Sequence, residues 1–227
     1  MDLGCGNGLV SLYLANHGCT VTACDISKPM LNALNANKKN LDIKIRYGNA
    51  YNIPAENNEF DVVISRMFLP HFPDWSKILS EMCRCCCYGG RIIFTLFNRE
   101  HRDIAKSYAT NQCEFQSYND LNLPSDKFLA NFSKNELLSL CSKLGLRILA
   151  IHPFNFFSEN AFIGHSLGNE KYNNFKNTFI KMKKDKNVLD FLVWLEEYVV
   201  SYLPNFMTYD QIIVLEKRTL CNLQNEL

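Results

Sequence analysis

The sequence predicts an α/β fold with a doubly wound, mostly parallel sheet, and three observations support this. Segments with strand and helix character alternate from the start of the chain to about residue 96. Two strand segments, residues 60–65 (FDVVIS) and 91–96 (RIIFTL), are apolar runs typical of strands buried on both faces. A glycine-rich segment (DLGCGNG) occupies residues 2–8, where the first strand would turn tightly into the first helix.

The elements of the first half are each indicated by their residue pattern. The helical segments carry apolar side chains at helical spacing; in the third these are Ile78, Leu79 and Met82, and Gly89-Gly90 should end that helix. The strand segments are β-branched, as in TVTAC, or alternate in polarity, as in IKIRY. The predicted order is strand 1–3, helix 8–17, strand 20–24, helix 28–39, strand 43–47, strand 60–65, helix 75–87 and strand 91–96.

Beyond these elements the alternation becomes weaker. Residues 99–131 are polar and predict a loop with helical pieces. Ser133 and Glu136 form a capping-box pattern that should begin a helix, and Gly145 should end it. The remaining predicted strands are 146–151 and 209–216, and we expect the last strand to be antiparallel.

An aromatic-rich segment separates these last two strands. We therefore predict a core of residues 1–151 plus 207–218, and an aromatic-rich insertion or substrate cap of residues 152–206. Residues 187–203 have the pattern of one amphipathic helix, which Pro204 should stop. Six lysines between positions 171 and 186 predict a solvated helix face, with an acidic lipid or RNA partner as the alternative.

Composition limits the class of protein. The chain has 227 residues, of which 47% are hydrophobic, enough for an α/β domain with a sizeable core. A net charge of +1 gives no electrostatic reason to expect a nucleic-acid partner. The first residues lack a signal-peptide pattern, and no apolar run approaches the roughly 20 residues that span a bilayer. We expect a cytoplasmic protein whose ten cysteines are reduced.

The glycine-rich segment is the most specific pattern in the chain. Gly4, Gly6 and Gly8 allow positive φ angles and let a ligand approach the backbone, while amides at the helix start face that ligand. Asp25 follows the second strand, where its carboxylate can accept two hydrogen bonds from ribose hydroxyls. Asp2 lies two positions before the first glycine, which favours a ligand with a cationic ammonium group.

A nicotinamide dinucleotide site is the nearest alternative for this pattern. It would require the spacing G-x-G-x-x-G/A, whose third position falls on Leu9. An anion-binding loop also has little use for the carboxylate of Asp2. Both residues disfavour an oxidoreductase.

Five segments, in order, resemble the motifs of the class I S-adenosylmethionine-dependent methyltransferases. They are DLGCGNG, ACDIS, GNA at residues 48–50, FDVVISRMFLPHFPDW and MCRCCCYGGRIIFTLF. The resemblance covers roughly residues 1–100, and the sequence is most similar to the broad methyltransferase group that includes quinone-biosynthesis enzymes. It implies a Rossmann-like fold with S-adenosylmethionine as cofactor. It implies that Asp2 and Gly4 hold the methionine part, Asp25 the ribose, and Ile26, Asn49 and Ala50 the adenine. The implied cofactor-binding set is Asp2, Gly4, Cys5, Gly6, Gly8, Asp25, Ile26, Asn49, Ala50 and Arg66.

Two further groups have competing interpretations. A metal site is one interpretation of the four clustered cysteines, Cys83, Cys85, Cys86 and Cys87. Zinc sites usually combine two spaced pairs of ligands, and no matching second pair lies nearby in the sequence. We therefore expect these cysteines to be small buried hydrophobic side chains. His71 is the candidate catalytic residue, a general base near the substrate mouth, or else a helix cap packed against Trp75. Glu159 and His165 in the insertion are possible substrate contacts or surface residues.

The resemblance implies methyl transfer to an oxygen, nitrogen or carbon of a small-molecule acceptor. The alternative is a catalytically silent remnant that keeps the fold as a binding module. Only three residues precede Gly4, so we expect a truncated first strand, weak cofactor binding and reduced stability. The sequence predicts no metal and says nothing of the oligomeric state.

Overall fold

The computed structural model describes residues 1–107, 130–156 and 161–219. Within them, eight strands form one sheet in the order β3-β2-β1-β4-β5-β8-β7, and β6 pairs with β5. The strands are β1 (Asp2–Leu3), β2 (Val21–Asp25), β3 (Ile43–Tyr47), β4 (Phe60–Ser65), β5 (Cys86–Asn98), β6 (Asn131–Phe132), β7 (Leu146–Phe154) and β8 (Asp210–Lys217).

Helices connect these strands. The α-helices are α1 (Leu9–Asn16), α2 (Lys28–Asn37), α3 (Trp75–Cys85), α4 (Arg99–Ser107), α5 (Lys134–Leu144), α6 (Ala161–Met182) and α7 (Lys186–Tyr198). Gly168 interrupts α6 with a non-helical conformation. Short 3-10 helices cover Leu69–His71, Val200–Tyr202 and Asn205–Met207. None of the helices in the described ranges is both long and apolar enough to cross a bilayer.

The strand directions confirm the predicted fold class. The pairs β1–β2, β1–β4, β2–β3 and β4–β5 are all parallel. The last strand, β8, is antiparallel to β5. The Asn98 amide at the end of β5 donates to the Tyr209 carbonyl just before β8, whereas Arg91, earlier in β5, pairs with Glu216 near the end of β8. The sheet is therefore mostly parallel with an antiparallel last strand. Because the strand order reverses between β1 and β4, a ligand is expected at the carboxyl ends of these strands.

The chain divides into two compact units. The described residues of the first are 1–95, 135–150 and 213–219, and those of the second are 96–107, 130–134, 151–156 and 161–212. The predicted core of residues 1–151 plus 207–218 and cap of residues 152–206 stay predictions about domain organisation.

The hydrophobic core of the first unit packs against the glycine turn. Val21, Ala23 and Ile43 of β2 and β3 pack with Leu31 and Leu34 of α2. Leu34 is fully buried beneath Gly8, where an added Cβ would lie 2.2 Å from the Leu34 Cδ1. Gly8 also has a φ of +87°, a conformation that disfavours any residue with a Cβ. The start of α1 is therefore fixed directly on the hydrophobic core.

The predicted boundary between the third helix and the strand that follows it was wrong. The helix predicted to reach residue 87 and end at two glycines ends at Cys85, and β5 begins at Cys86. The reason is an irregular pairing with β4. Phe60 pairs with Cys86 and Val62 pairs with Arg91. An advance of two residues along β4 therefore corresponds to an advance of five residues along β5, which forms a bulge. Gly89, with φ +77°, lies inside this bulge rather than at a helix end.

Later elements also differ from their predicted lengths. The helix predicted over residues 187–203 is α7, which ends at Tyr198 and is followed by a 3-10 turn before Pro204. Its start is set by Asp185, whose side chain accepts hydrogen bonds from the amides of Asn187 and Val188. The strand predicted over 146–151 extends to Phe154. Glu159 and the side chain of His165 lie outside the described part of the molecule.

The clustered cysteines lie inside the first unit. Cys83, Cys85 and Cys86 are buried, and burial raises the pKa of the Cys85 thiol to about 11 and that of Cys86 to about 12. Thiols in this state are protonated at neutral pH and poorly nucleophilic. Their burial supports the interpretation of these residues as small core side chains.

Candidate functional site

The glycine turn is fastened to the end of β2. The amides of Gly4 and Cys5 both donate to the Cys24 carbonyl, at 2.8 and 3.1 Å. The Gly8 amide then donates to the Cys5 carbonyl at 2.9 Å, which closes the turn and begins α1. The turn therefore has a fixed position relative to the carboxyl end of β2.

Asp25 links the turn to the start of α2. Its Oδ2 accepts the Gly6 amide at 2.8 Å and its Oδ1 accepts the Ser27 amide at 2.8 Å. The side chain is only partly buried, and each carboxylate oxygen has a second lone pair that can accept another hydrogen bond. The structure thus brings Asp25 against the turn, as predicted, with accepting capacity left for a ligand's hydroxyl groups.

Gly4 and Gly6 have different surroundings. Gly4 has a φ of +69°, and an added Cβ would lie 2.3 Å from the ring of Phe68. Gly6 has a φ of +53°, and nothing lies within 4 Å of its Cβ position. The Phe68 ring therefore lies directly against Gly4, whereas the space at the Cβ position of Gly6 is open. A ligand can approach the backbone at Gly6 from that side.

Asp2 is buried at the base of the turn. Its Oδ2 accepts the Ser11 hydroxyl at 2.6 Å, and both residues are buried. Burial raises the pKa of the Asp2 carboxyl, while the hydrogen bond from Ser11 acts in the opposite direction. A carboxylate in such a position gains from a cationic group placed close to it.

The end of β3 forms the next part of the edge. The Gly48 amide donates to the Asp25 backbone carbonyl at 3.1 Å, so the loop after β3 lies beside the end of β2. Asn49 is exposed, and its Oδ1 accepts the Tyr51 amide at 3.0 Å, which leaves its amide NH2 group to face a ligand. Ala50 is buried, and Ile26 is 58% exposed directly after Asp25. These residues can form an apolar surface with one hydrogen-bonding amide.

The end of β4 is tied to β1 and β5. The Ser65 hydroxyl donates to the Leu3 carbonyl at 2.9 Å, and the Met67 amide donates to the Thr95 Oγ1 at 2.6 Å. Met67 has a φ of +51°, a conformation that costs a non-glycine residue energy and recurs at functional sites. Arg66 is exposed and, within the described residues, makes no hydrogen bond or ion pair.

His71 ends the 3-10 helix that follows this loop and is exposed. Within the described part of the chain its ring makes no hydrogen bond and no ring contact. Its predicted role as a general base stays a prediction.

Sequence reasoning did not single out several side chains at this edge. Phe68 and Phe72 are 4.8 Å apart between ring centroids, and Tyr51 meets Phe72 edge-on at 5.7 Å. The Tyr51 hydroxyl donates to Asp74 at 2.5 Å, and this bond raises the pKa of Tyr51 to about 12. The sequence carried one signal, the density of aromatic residues after β4, but no spacing rule relates Tyr51 to that loop.

Comparison with known proteins shows which family this part of the chain resembles. Residues 1–94 match the family model described as "Methyltransferase domain". The chain is 33% identical over 153 residues to a malonyl-[acyl-carrier protein] O-methyltransferase of Buchnera aphidicola subsp. Baizongia pistaciae, covering 61% of this chain and 60% of the relative. It is 26% identical over 158 residues to a ubiquinone biosynthesis O-methyltransferase of Coxiella burnetii, covering 69% and 66%. The chain thus spans about 60% to 66% of the length of these curated relatives.

A solved structure shows the same fold across the chain. Haemonchus contortus phosphoethanolamine N-methyltransferase 2, in complex with S-adenosyl-L-methionine, superposes with a TM-score of 0.61 at 21% identity. The match covers 96% of this chain and 48% of that protein. Residues 1–94 therefore match the methyltransferase-domain family model, and the chain has a Rossmann-like fold that it shares with this S-adenosyl-L-methionine-bound methyltransferase.

Proposed function

We propose that this protein binds S-adenosylmethionine and transfers its methyl group to a small-molecule acceptor. The observation that carries the proposal is the position of Asp25, which is hydrogen-bonded to the glycine turn at Gly6 and still open to a ligand. A carboxylate at that point fits the two ribose hydroxyls of a nucleoside. The family match of residues 1–94 supports the same cofactor.

The remaining residues fit the other parts of this cofactor. Asp2 would hold the cationic methionine end beside Gly4, because a buried carboxylate favours an ammonium group. Ile26 would pack on the adenine face, with Ala50 and the free amide group of Asn49 at the adenine edge. An amide donor at this edge suits a ring-nitrogen acceptor, whereas an aspartate would suit the exocyclic amine.

Methyl transfer requires little acid–base chemistry from the protein. The bound sulfonium supplies an electrophilic methyl group with a good leaving group. The residues of the site would align this group with the acceptor and exclude water, and alignment alone contributes about 7–11 kcal/mol in favourable cases. His71, exposed after β4, would take the proton of a hydroxyl acceptor.

The names of two relatives support one class of acceptor. Both curated relatives described above are named O-methyltransferases, one acting on a malonyl-acyl-carrier protein and one in ubiquinone biosynthesis. We therefore propose an oxygen nucleophile, such as a carboxylate or phenolic hydroxyl, in preference to nitrogen or carbon. The competing function is a catalytically silent binding module.

Calorimetric titration tests the cofactor directly. S-adenosylmethionine and its demethylated product S-adenosylhomocysteine should bind at one site, and NAD should not bind. A silent module that has lost the site would bind none of the three. Saturation by NAD alone would replace the proposal with the oxidoreductase alternative.

Cofactor affinity should depend on pH through Asp2. The ammonium end of the cofactor gains only from the ionised carboxylate, so affinity should fall as the pH is lowered through the raised pKa of Asp2. Ser11→Ala removes the hydrogen bond that lowers this pKa, so the midpoint of the loss should move to higher pH. The measurement is the dissociation constant from pH 8 to pH 4.

Ser80→Ala is the matched control for Ser11→Ala, because the Ser80 hydroxyl also donates within the fold, to the Ser76 carbonyl of α3. This variant should leave the midpoint unchanged. Equal midpoints in Ser11→Ala and the unaltered protein would contradict the role of Asp2.

A further inference from the structure

Helix α7 presents a row of aromatic side chains to solvent. Phe191, Trp194 and Tyr198 are 58%, 48% and 57% exposed, and consecutive ring centroids lie 6.0 Å apart in stacked arrangement. Their spacing of three and four residues places them along one side of the helix. We call these three residues the aromatic row. No residue of α7 is buried, and a row of large exposed aromatic residues marks an interaction surface.

The segment before α7 is strongly basic. Residues 170–186 contain six lysines and two acids, a net charge of +4 (6 − 2), whereas the whole chain has a net charge of +1. Lys171, Lys181, Lys184 and Lys186 are exposed and form no ion pair with any residue of the described ranges. Lys183 lies over the Phe179 ring at 4.7 Å. We call residues 170–186 the basic segment.

Exposed apolar residues also lie in the basic segment and early in α7. Ile180, Met182 and Leu189 are 56%, 49% and 42% exposed. The polypeptide from residue 171 to residue 198 therefore combines exposed lysines with exposed apolar and aromatic side chains. This is the composition of helices that lie in the headgroup region of a bilayer.

We propose that the basic segment and the aromatic row together dock on an anionic lipid surface. Tryptophan and tyrosine favour the membrane–water interface, and lysines beside them are attracted to anionic headgroups. The acids of α7 do not prevent this. The three acids Asp190, Glu196 and Glu197 lie about 70°, 170° and 90° around the helix from the centre of the aromatic row at 100° per residue. The stacked rings form an extended row on one helix, which suits a fluid bilayer better than the pocket that an anchoring hot spot occupies in a protein partner.

Vesicle flotation with the full chain tests this docking. The protein should float with phosphatidylcholine vesicles that contain 30% phosphatidylglycerol, bind pure phosphatidylcholine at least ten times more weakly, and dissociate at high salt. The buried Trp75 leaves Trp194 as the exposed tryptophan, so docking should shift the emission to the blue, and Trp194→Phe should abolish the shift.

Two pairs of variants separate the contribution of the aromatic row to vesicle binding from that of the basic segment. Tyr198→Ser should weaken vesicle binding several-fold, whereas Tyr13→Ser, at a tyrosine that is 63% exposed on α1, should not. Lys181→Glu/Lys184→Glu should abolish the preference for the anionic vesicles. Its control Lys44→Glu/Lys143→Glu makes the same charge change at two other exposed lysines and should keep the preference. Circular dichroism checks that each variant is folded.

Three outcomes would overturn the proposal. Equal binding of both vesicle types would remove the role of the lysines. A dimer in lipid-free solution that Tyr198→Ser converts to a monomer would assign the aromatic row to self-association. Binding of soluble polyglutamate, dependent on Lys181 and Lys184, without vesicle binding would assign the surface to an acidic protein.

Discussion

Replacing Asp25 with alanine should reduce the affinity for S-adenosylmethionine about 100-fold or more. The carboxylate would accept two ribose hydroxyls, and each hydrogen bond to a charged group contributes about 1.5–3 kcal/mol. Two such bonds correspond to a factor of about 100 to 20,000 in the dissociation constant. The variant also loses the acceptors for the amides of Gly6 and Ser27, so the turn becomes less well ordered. Calorimetric titration measures the change.

Two further variants make this result specific. Asp25→Asn keeps an acceptor for one amide and the side-chain volume, so its affinity should lie between those of the unaltered protein and Asp25→Ala. Asp42→Ala removes an exposed carboxylate just before β3 and should leave affinity unchanged. An unchanged dissociation constant in Asp25→Ala would remove the ribose-binding role and, with it, the main support for the proposed function.

Replacing Gly6 with alanine should reduce cofactor affinity about 10- to 100-fold, with only a modest loss of stability. The added methyl group would project into the open space where the cofactor approaches the backbone, and a steric clash of this size costs about 1–3 kcal/mol. Alanine at φ +53° costs about 1 kcal/mol of folding stability. Titration and denaturant unfolding measure the two effects separately.

Gly18→Ala is a control with the same local strain. Gly18 has a φ of +83°, and nothing lies within 4 Å of its Cβ position, but it lies beyond the C-terminal end of α1, away from the turn. Its variant should lose similar stability and keep full cofactor affinity. If both variants bind the cofactor as tightly as the unaltered protein, the ligand does not approach Gly6.

The parts of the fold that could be predicted are those with local patterns. The strands over residues 43–47 and 60–65 have the predicted bounds, because the alternation of IKIRY and the apolar run FDVVIS are local patterns with clear limits in the sequence. The junction of α3 and β5 could not be predicted, because its position depends on how Cys86 and Arg91 pair with the neighbouring strand. Such a pairing is a property of the sheet and not of either segment alone.

The candidate site divides in the same way. The glycine turn and Asp25 could be predicted, because the motif fixes the backbone locally. The order of the strands then brings the turn after β1 close to Asp25 at the end of β2. Ser11 looks like an ordinary helix residue, and only the structure shows it bound to Asp2. Nothing in the sequence predicts the positive φ of Met67, since methionine has no preference for that conformation.

The bridge made by Asp25 has a consequence for the kinetics of ligand binding. Because folding already restrains Gly6 and Ser27 through this carboxylate, the backbone of the site is pre-organised before any nucleoside arrives. Association should therefore proceed in a single kinetic phase whose rate rises linearly with ligand concentration, without a slow isomerisation of the loop.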